Sequence, residues 1–244
     1  MIESSLMMVT YNRIELTKKT LDGLKTSIKT PYNLVIVDNG STDGTVEFLR
    51  QEFDGKTNVH MIFLPHNKGI AIGRNIALKK ADEIGTKWYC TIDNDVEMPE
   101  GWLEECIDIL SKNMGYGMIG VNMENVEYPS VTLNGCTFQE KPRGNLGTAL
   151  IVFSKQLHQM IGFFNTQYVL YAHEDADYGM RARVAGFKMG YISRMGIHLG
   201  ADEQEKNPYR QFKTKASQDN MALFKHNCAL YVQRKKPLYI KYAE

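Results

Sequence analysis

Trp88-Tyr89-Cys90-Thr91-Ile92-Asp93-Asn94-Asp95 is an apolar run that ends in two carboxylates one residue apart. The run reads as a buried strand, and Val96-Glu97-Met98-Pro99 follows it. Carboxylates at the mouth of a buried strand are costly unless something compensates their charge. A divalent cation carrying a diphosphate compensates both, because hard cations take carboxylate and phosphate oxygens. The competing reading is a surface turn in which Asn and Asp bond the local backbone.

Upstream, short apolar runs alternate with amphipathic stretches. Leu6-Met7-Met8-Val9-Thr10 reads as a strand, and Leu16, Leu21, Leu24 and Ile28 follow at helical spacing. Pro31 stops that helix before a second buried strand, Leu34-Val35-Ile36-Val37-Asp38. Asn39-Gly40-Ser41-Thr42-Asp43-Gly44 is a turn with capping residues, leading into Val46, Leu49 and Phe53. His60-Met61-Ile62-Phe63-Leu64 is a third strand, with a helix expected over about 69–84. Near-continuous apolar strands separated by helices imply a parallel sheet covered on both faces.

Downstream, Trp102, Leu103, Cys106, Ile107 and Leu110 mark another amphipathic helix, and Met118-Ile119-Gly120-Val121 a strand. Residues 122–143 carry irregular strand and turn signals, 148–153 are apolar, and 154–161 read as a short helix. A second acidic cluster, His173-Glu174-Asp175-Ala176-Asp177, precedes a helical stretch with Met180, Val184 and Ala185. No repeat or Pro/Gly-rich linker divides the chain, so one continuous domain is expected, with a nucleotide-like first half and a variable second half.

A chain of 244 residues with a formal net charge of +1 gives no reason to expect dominant attraction to nucleic acid or anionic membrane. Cys90, Cys106, Cys136 and Cys228 are scattered without metal-ligand spacing, and buried thiols in a reducing compartment are expected. No secretory signal and no bilayer-length apolar run is visible. A soluble, cytoplasmic protein is the expectation. The basic, aromatic segment from Tyr231 to Tyr242, with Arg234-Lys235-Lys236, reads as a solvated tail, with peripheral membrane or acceptor contact as the minority alternative.

Ligands of open parallel sheets bind beyond the carboxyl ends of the strands. Asp38 and Asp93 each terminate an expected strand and would share that edge. Asp38 suits a ribose or base, or the cap of its own turn. The glycines match neither a dinucleotide fingerprint nor a P-loop. Asn67-Lys68-Gly69-Ile70-Ala71-Ile72-Gly73-Arg74-Asn75 lies at a loop-to-helix junction, where a helix N-terminus and Arg74 suit a phosphate or base oxygen. A glycine-loosened helix with one solvated arginine explains the same residues. Carboxylates 174, 175 and 177 fit a helix N-terminus through the macrodipole alone; functionally, one could be a general base. Arg181 could pair with Asp177 one turn away, leaving Glu174 or Asp175 for chemistry. His198, in Gly196-Ile197-His198-Leu199-Gly200, is either structural or a partner for carboxylates around manganese.

Taken in order, Val9-Thr10-Tyr11-Asn12-Arg13, Val35 to Thr45, Asn67-Lys68-Gly69 with Arg74-Asn75, Asp93-Asn94-Asp95, and His173 to Asp177 with Arg181 resemble the inverting GT-A glycosyltransferases of family 2. The resemblance covers roughly residues 5–200. It implies an α/β GT-A fold, with a mostly parallel central sheet flanked by helices and a smaller mixed sheet on the acceptor side. Within 1–244 it implies a nucleotide-sugar-binding half (1–98), an acceptor and catalytic half (99–205), and a C-terminal lid and tail (206–244). Thr10, Asp38, Asn67, Gly69, Arg74 and Asp93 would hold the nucleotide, usually a uridine or other pyrimidine-type diphosphate. Asp95, with His198 and Asp93, would bind Mn²⁺ or Mg²⁺. Asp175 would be the catalytic base, and Gly147-Thr148-Ala149 would line the donor sugar and acceptor. Glu203, Lys206, Tyr209 and Arg210 suggest a lid.

The implied partner is a nucleoside-diphosphate sugar; the acceptor is left open among a glycan, a lipid-linked glycan, a protein and a modified nucleobase, as is oligomeric state. The absence of a QxxRW-type motif and of membrane spans argues against a processive synthase. A retaining transferase, a sugar nucleotidyltransferase and a non-catalytic nucleotide-sugar-binding module are the alternatives.

Overall fold

Leu6 and Met8 belong to one apolar cluster, and Met7 and Val9 to another. Successive side chains of a strand point to opposite faces, so strand β1 (Ser4–Thr10) is packed on both sides. It pairs in parallel with β2 (Asn33–Asp38) and β4 (Trp88–Asp93), and β2 pairs in parallel with β3 (Val59–Phe63). The registers Thr10↔Asp38 and Val9↔Asp93 bring three strand ends to one edge. The computed structural model describes residues 2–124, 126–200 and 208–243, with side chains of the last stretch from Thr214 onward.

The crossovers are α1 (Ile14–Ser27), α2 (Thr45–Phe53) and α3 (Ile70–Ile84). Helix α3 buries small residues, Ala71, Gly73, Ala77 and Ala81. A Cβ on Gly73 would meet a Val9 methyl at 2.8 Å, so a glycine is what lets this helix approach β1.

The second half contains β5 (Val96–Glu97), α4 (Trp102–Lys112), β6 (Tyr116–Asn122), β7 (Ser130–Leu133), β8 (Cys136–Glu140), β9 (Leu150–Ser154), α5 (Lys155–Ile161), α6 (Glu174–Val184), β10 (Lys188–Met195), β11 (Ile197–His198) and α7 (Pro208–Val232). Its strands extend the same sheet, giving the order β3-β2-β1-β4-β9-β6-β10-β8-β7. Strand β9 runs antiparallel to β4 and β6, so the sheet turns mixed at its centre. A separate two-stranded sheet pairs β5 with β11. Trp102, Cys106 and Leu110 of α4 pack on one face, while Leu78 of α3, Tyr178 of α6 and Phe153 lie in the cluster on the other. Burying a side chain of this size contributes about 1.5–3 kcal/mol. Cys90, Cys106 and Cys136 are buried free thiols, and burial raises the pKa of the first two well above the usual value. Among the described residues no helix is long and apolar enough to cross a membrane.

The C-terminal region corrects the expectation of a solvated tail. Tyr231 is buried, and its hydroxyl donates to Asp177 Oδ2 at 3.0 Å. Beyond α7, Ile240 N donates to the Ile161 carbonyl at 3.0 Å, and Phe163 N donates to the Ile240 carbonyl at 2.9 Å. Arg181 Nη1 also donates to the Leu238 carbonyl at 3.2 Å. Main-chain bonds and one buried carboxylate thus tie the segment down, and neither leaves a hydrophobic period in the sequence.

Candidate active site

Asn94 organises the acidic turn. Its Nδ2 donates to Thr17 Oγ1 at 2.9 Å and to Thr10 Oγ1 at 3.2 Å, which anchors the middle residue inward. All three residues of the turn border a cavity of about 670 Å³. Leu199 N donates to the Asp95 carbonyl at 2.7 Å, and the pairing His198↔Val96 brings the imidazole beside the turn. His198 Nδ1 lies 3.5 Å from Asp95 Oδ2, and one ligand atom from each of Asp93, Asp95 and His198 falls within a 4.8 Å cluster. Two carboxylates and an imidazole are a donor set that suits Mn²⁺ well and Mg²⁺ through its oxygens. Arg13 Nη1 stands 2.7 Å from Asp95 Oδ2, an ion pair that the sequence did not disclose.

A second group of lining carboxylates is carried by the first turn of α6. Arg74 is buried and forks, with Nη1 2.6 Å from Glu174 Oε1 and Nη2 3.0 Å from Asp93 Oδ1. Glu174 Oε2 is buried without a partner among the described residues. Burial, then the neighbouring Asp175, pushes the Glu174 carboxyl up to about 7 against the pull of Arg74. Burial also raises the Asp175 carboxyl, opposed chiefly by Arg74, and Asp175 Oδ1 accepts from Ala176 N at 2.7 Å. Asp177 points away from the cavity: Arg181 Nε donates to it at 2.6 Å, and Tyr168 and Tyr231 donate to its other oxygen. The expected Asp177–Arg181 pair therefore forms, and both Glu174 and Asp175 line the cavity.

Backbone strain is concentrated around the cavity. Asn12 and Arg13, and then Leu170, Ala172 and His173, hold left-handed backbone with φ between 56° and 74°. Such residues cost about 1 kcal/mol or more each and persist only where surrounding contacts impose them. Helix α7 imposes them on the second set. Asn220 Nδ2 donates to the carbonyls of Val169, Tyr171 and Ala172, and His173 Nε2 donates to the Ser217 carbonyl at 3.0 Å. Nothing in the sequence marked Asn220 for this task.

Of the residues expected to hold the nucleotide, Asn67, Arg74 and Asp93 line the cavity, as do Gly147, Thr148 and Ala149. Arg74 reaches it as a buried bridge rather than as a solvated arginine. Asn67 Oδ1 accepts from Gly69 N and from Asn39 Nδ2, bracing the loop. Thr10 is buried against Thr17 and Asn94. Asp38 Oδ2 accepts from Gly40 N and Ser41 N, the capping alternative, while Oδ1 is buried with no partner among the described residues. Gly69, at φ +90°, admits the Leu170 backbone, which a Cβ would meet at 2.9 Å. Glu203 and Lys206 of the expected lid lie outside the described residues, and α7 holds Tyr209 and Arg210.

An acidic turn, an imidazole and a buried carboxylate pair thus line one cavity beyond the carboxyl ends of parallel strands. Residues 5–166 match the family described as Glycosyl transferase family 2, and the chain belongs to that family. Glycosyltransferase AglE of Haloferax volcanii is 29% identical over 139 residues, covering 56% of this chain and 43% of that protein. N-acetylglucosaminyl-diphospho-decaprenol L-rhamnosyltransferase of Mycobacterium tuberculosis is 24% identical over 240 residues, covering 82% of this chain and 77% of its own. Among solved structures, S. aureus TarS 1-349 in complex with UDP superposes with a TM-score of 0.60 at 21% identity, covering 79% of this chain and 58% of TarS 1-349. Mannosyltransferase PcManGT from Pyrobaculum calidifontis, in complex with GDP-Man and Mn²⁺, gives 0.64 at 17% identity, covering 86% and 59%. The fold is GT-A, and the chain spans less than half the length of AglE.

Proposed function

We propose that this domain transfers a sugar from a nucleoside-diphosphate sugar, most simply a uridine one, to an acceptor hydroxyl with inversion at the anomeric carbon. One observation carries the reading: the Asp93, Asp95 and His198 cluster and the Glu174–Asp175 pair line the same cavity, joined by Arg74. Asp95, His198 and Asp93 would hold Mn²⁺ or Mg²⁺, which when bound neutralises charge on the departing nucleoside diphosphate.

Asp175 accepts the proton of the acceptor hydroxyl as its oxygen bonds to the anomeric carbon. The bond from that carbon to the diphosphate oxygen breaks, and its electron pair leaves with the nucleotide. General-base help of this kind is worth roughly 10²–10⁴-fold. Arg74 holds Asp93 and Glu174 in register, so donor and acceptor sides keep a set separation. Asp38 Oδ1, buried and without a partner among the described residues, is the oxygen left for the nucleoside.

A glycan, a lipid-linked glycan, a protein or a modified nucleobase could supply the hydroxyl. The diphospho-decaprenol in the name of the mycobacterial relative supports the lipid-linked class.

A panel of nucleoside-diphosphate sugars with Mn²⁺, scored by nucleoside diphosphate release and thermal shift, tests the reading. Stabilisation by a nucleoside diphosphate together with acceptor-dependent release is the expected result. If no nucleoside diphosphate stabilises the protein, the proposal is lost; release of pyrophosphate instead would make it a nucleotidyltransferase.

A further inference from the structure

Many exposed cations elsewhere in the fold meet acids: Lys25, Lys29, Lys56, Lys87, Lys112 and Lys188 each reach a carboxylate within 4.0 Å, while Lys19, Arg50, Lys68, Arg143 and Lys155 stand singly along the chain. The C-terminal region departs from this pattern. From Thr214 to Ala243 there are six basic residues, Lys215, Lys225, Arg234, Lys235, Lys236 and Lys241, and one acid, Asp219, in a chain that carries 29 basic and 28 acidic residues overall. All but Lys236 are exposed, and among the described residues none of the six forms an ion pair. Net charge near zero therefore conceals a strongly cationic end. The helix dipole accounts for Arg234 and Lys235 just past the C-terminus of α7, but not for Lys215, Lys225 or Lys241.

The cations are interleaved with exposed apolar side chains. Met221, Lys225 and Val232 share one side of α7, four and seven residues apart. They face away from Asn220, Asn227 and Tyr231, which pack inward. Val232 is 62% exposed, Tyr239 47% and Met221 38%. Val169, 64% exposed, belongs to the loop that Asn220 binds. A nucleic-acid backbone makes use of the charge but not of these side chains. A lipid bilayer with anionic headgroups makes use of both.

We propose that the outer face of α7 and the segment after it form a docking surface for an anionic lipid bilayer. The same helix braces residues 169–173, and Leu170, Tyr171 and Ala172 of that loop line the cavity. Docking through α7 therefore brings the cavity mouth close to the bilayer. The inference stands on charge and exposure alone and does not depend on the transfer reaction.

Co-sedimentation with phosphatidylcholine vesicles, with and without phosphatidylglycerol, at low and high NaCl tests it without donor or acceptor. Binding to the anionic vesicles alone, weakened by salt, is the expected result. Lys225→Gln, Lys235→Gln and Lys241→Gln each lower that partitioning by about five-fold, and the triple variant by about a hundred-fold. Thermal stability and nucleotide binding stay unchanged in all four variants. Val232→Ser weakens binding at high salt as well, since its contribution is apolar. Equal binding to neutral vesicles, no binding to either, full binding by the triple variant, or displacement of the vesicles by duplex RNA or DNA overturns the proposal.

Discussion

Arg74 Nη1 lies 2.6 Å from Glu174 Oε1, across a hundred residues of chain, while its second amino group lies 3.0 Å from Asp93 Oδ1. One buried guanidinium therefore compensates a carboxylate of each group lining the cavity. Removing it as Arg74→Gln leaves Glu174 and Asp93 unopposed, a loss of roughly 3–5 kcal/mol for a broken buried pair. Urea unfolding measures this. Arg74→Lys recovers only part of the loss, because an ammonium on a flexible stem does not reproduce a planar fork.

Asp175→Asn keeps the shape of the site while removing its capacity to accept a proton. Transfer falls by at least about 10²-fold, and the nucleoside diphosphate dissociation constant by calorimetry stays within a few-fold. Retained turnover would remove Asp175 from the role of base.

Asp95→Asn acts on the acidic turn. Mn²⁺ binding, read by electron paramagnetic resonance in the absence of any sugar donor, weakens sharply, and chelator no longer changes nucleotide affinity. Unchanged Mn²⁺ binding would place the metal ligands elsewhere.

Glu174 imposes a pH dependence on stability whose sign follows from its raised pKa. The folded protein holds this proton up to about 7, against an ordinary value of 4.5, because of burial and then Asp175. The folded state thus binds more protons between those values, so stability falls as pH rises through that window. Denaturant midpoints at pH 5 and pH 7.5 should differ less in Glu174→Gln than in the parent. An identical difference in both proteins would show that another group titrates.

Gly69→Ala puts a methyl where the Leu170 backbone stands, at a backbone φ of +90° that alanine rarely adopts. A loss of about 1–3 kcal/mol is expected from the strained backbone alone. Because Leu170 lines the cavity, donor affinity drops with it, which calorimetry would detect.

The first four strands were legible because each is an apolar run long enough to be buried on both faces, and their carboxyl ends carry Asp38 and Asp93. Helix α3 was legible from its loop-to-helix junction, and the Asp177–Arg181 pair from a spacing of one helical turn. Helix α7 was not, because its inward side is built from Asn220, Asn227 and Tyr231, polar groups that bond carbonyls and side chains instead of filling an apolar core. A polar buried face has no hydrophobic period to read.

Local order along the chain was thus enough to specify which residue types stand at the strand ends, and with them the family: the acidic turn after β4, the Glu174–Asp175 pair and His198. Their convergence was decided by pairings between distant segments. His198 meets Asp95 because β11 pairs with β5, and Glu174 meets Asp93 through Arg74. Asp38 and Thr10 illustrate the same division. Their residue types suit a nucleotide, but folding commits Asp38 Oδ2 to two backbone amides and buries Thr10 against Thr17 and Asn94. Hydrogen bonds across long loops depend on geometry in three dimensions, which a linear pattern does not encode.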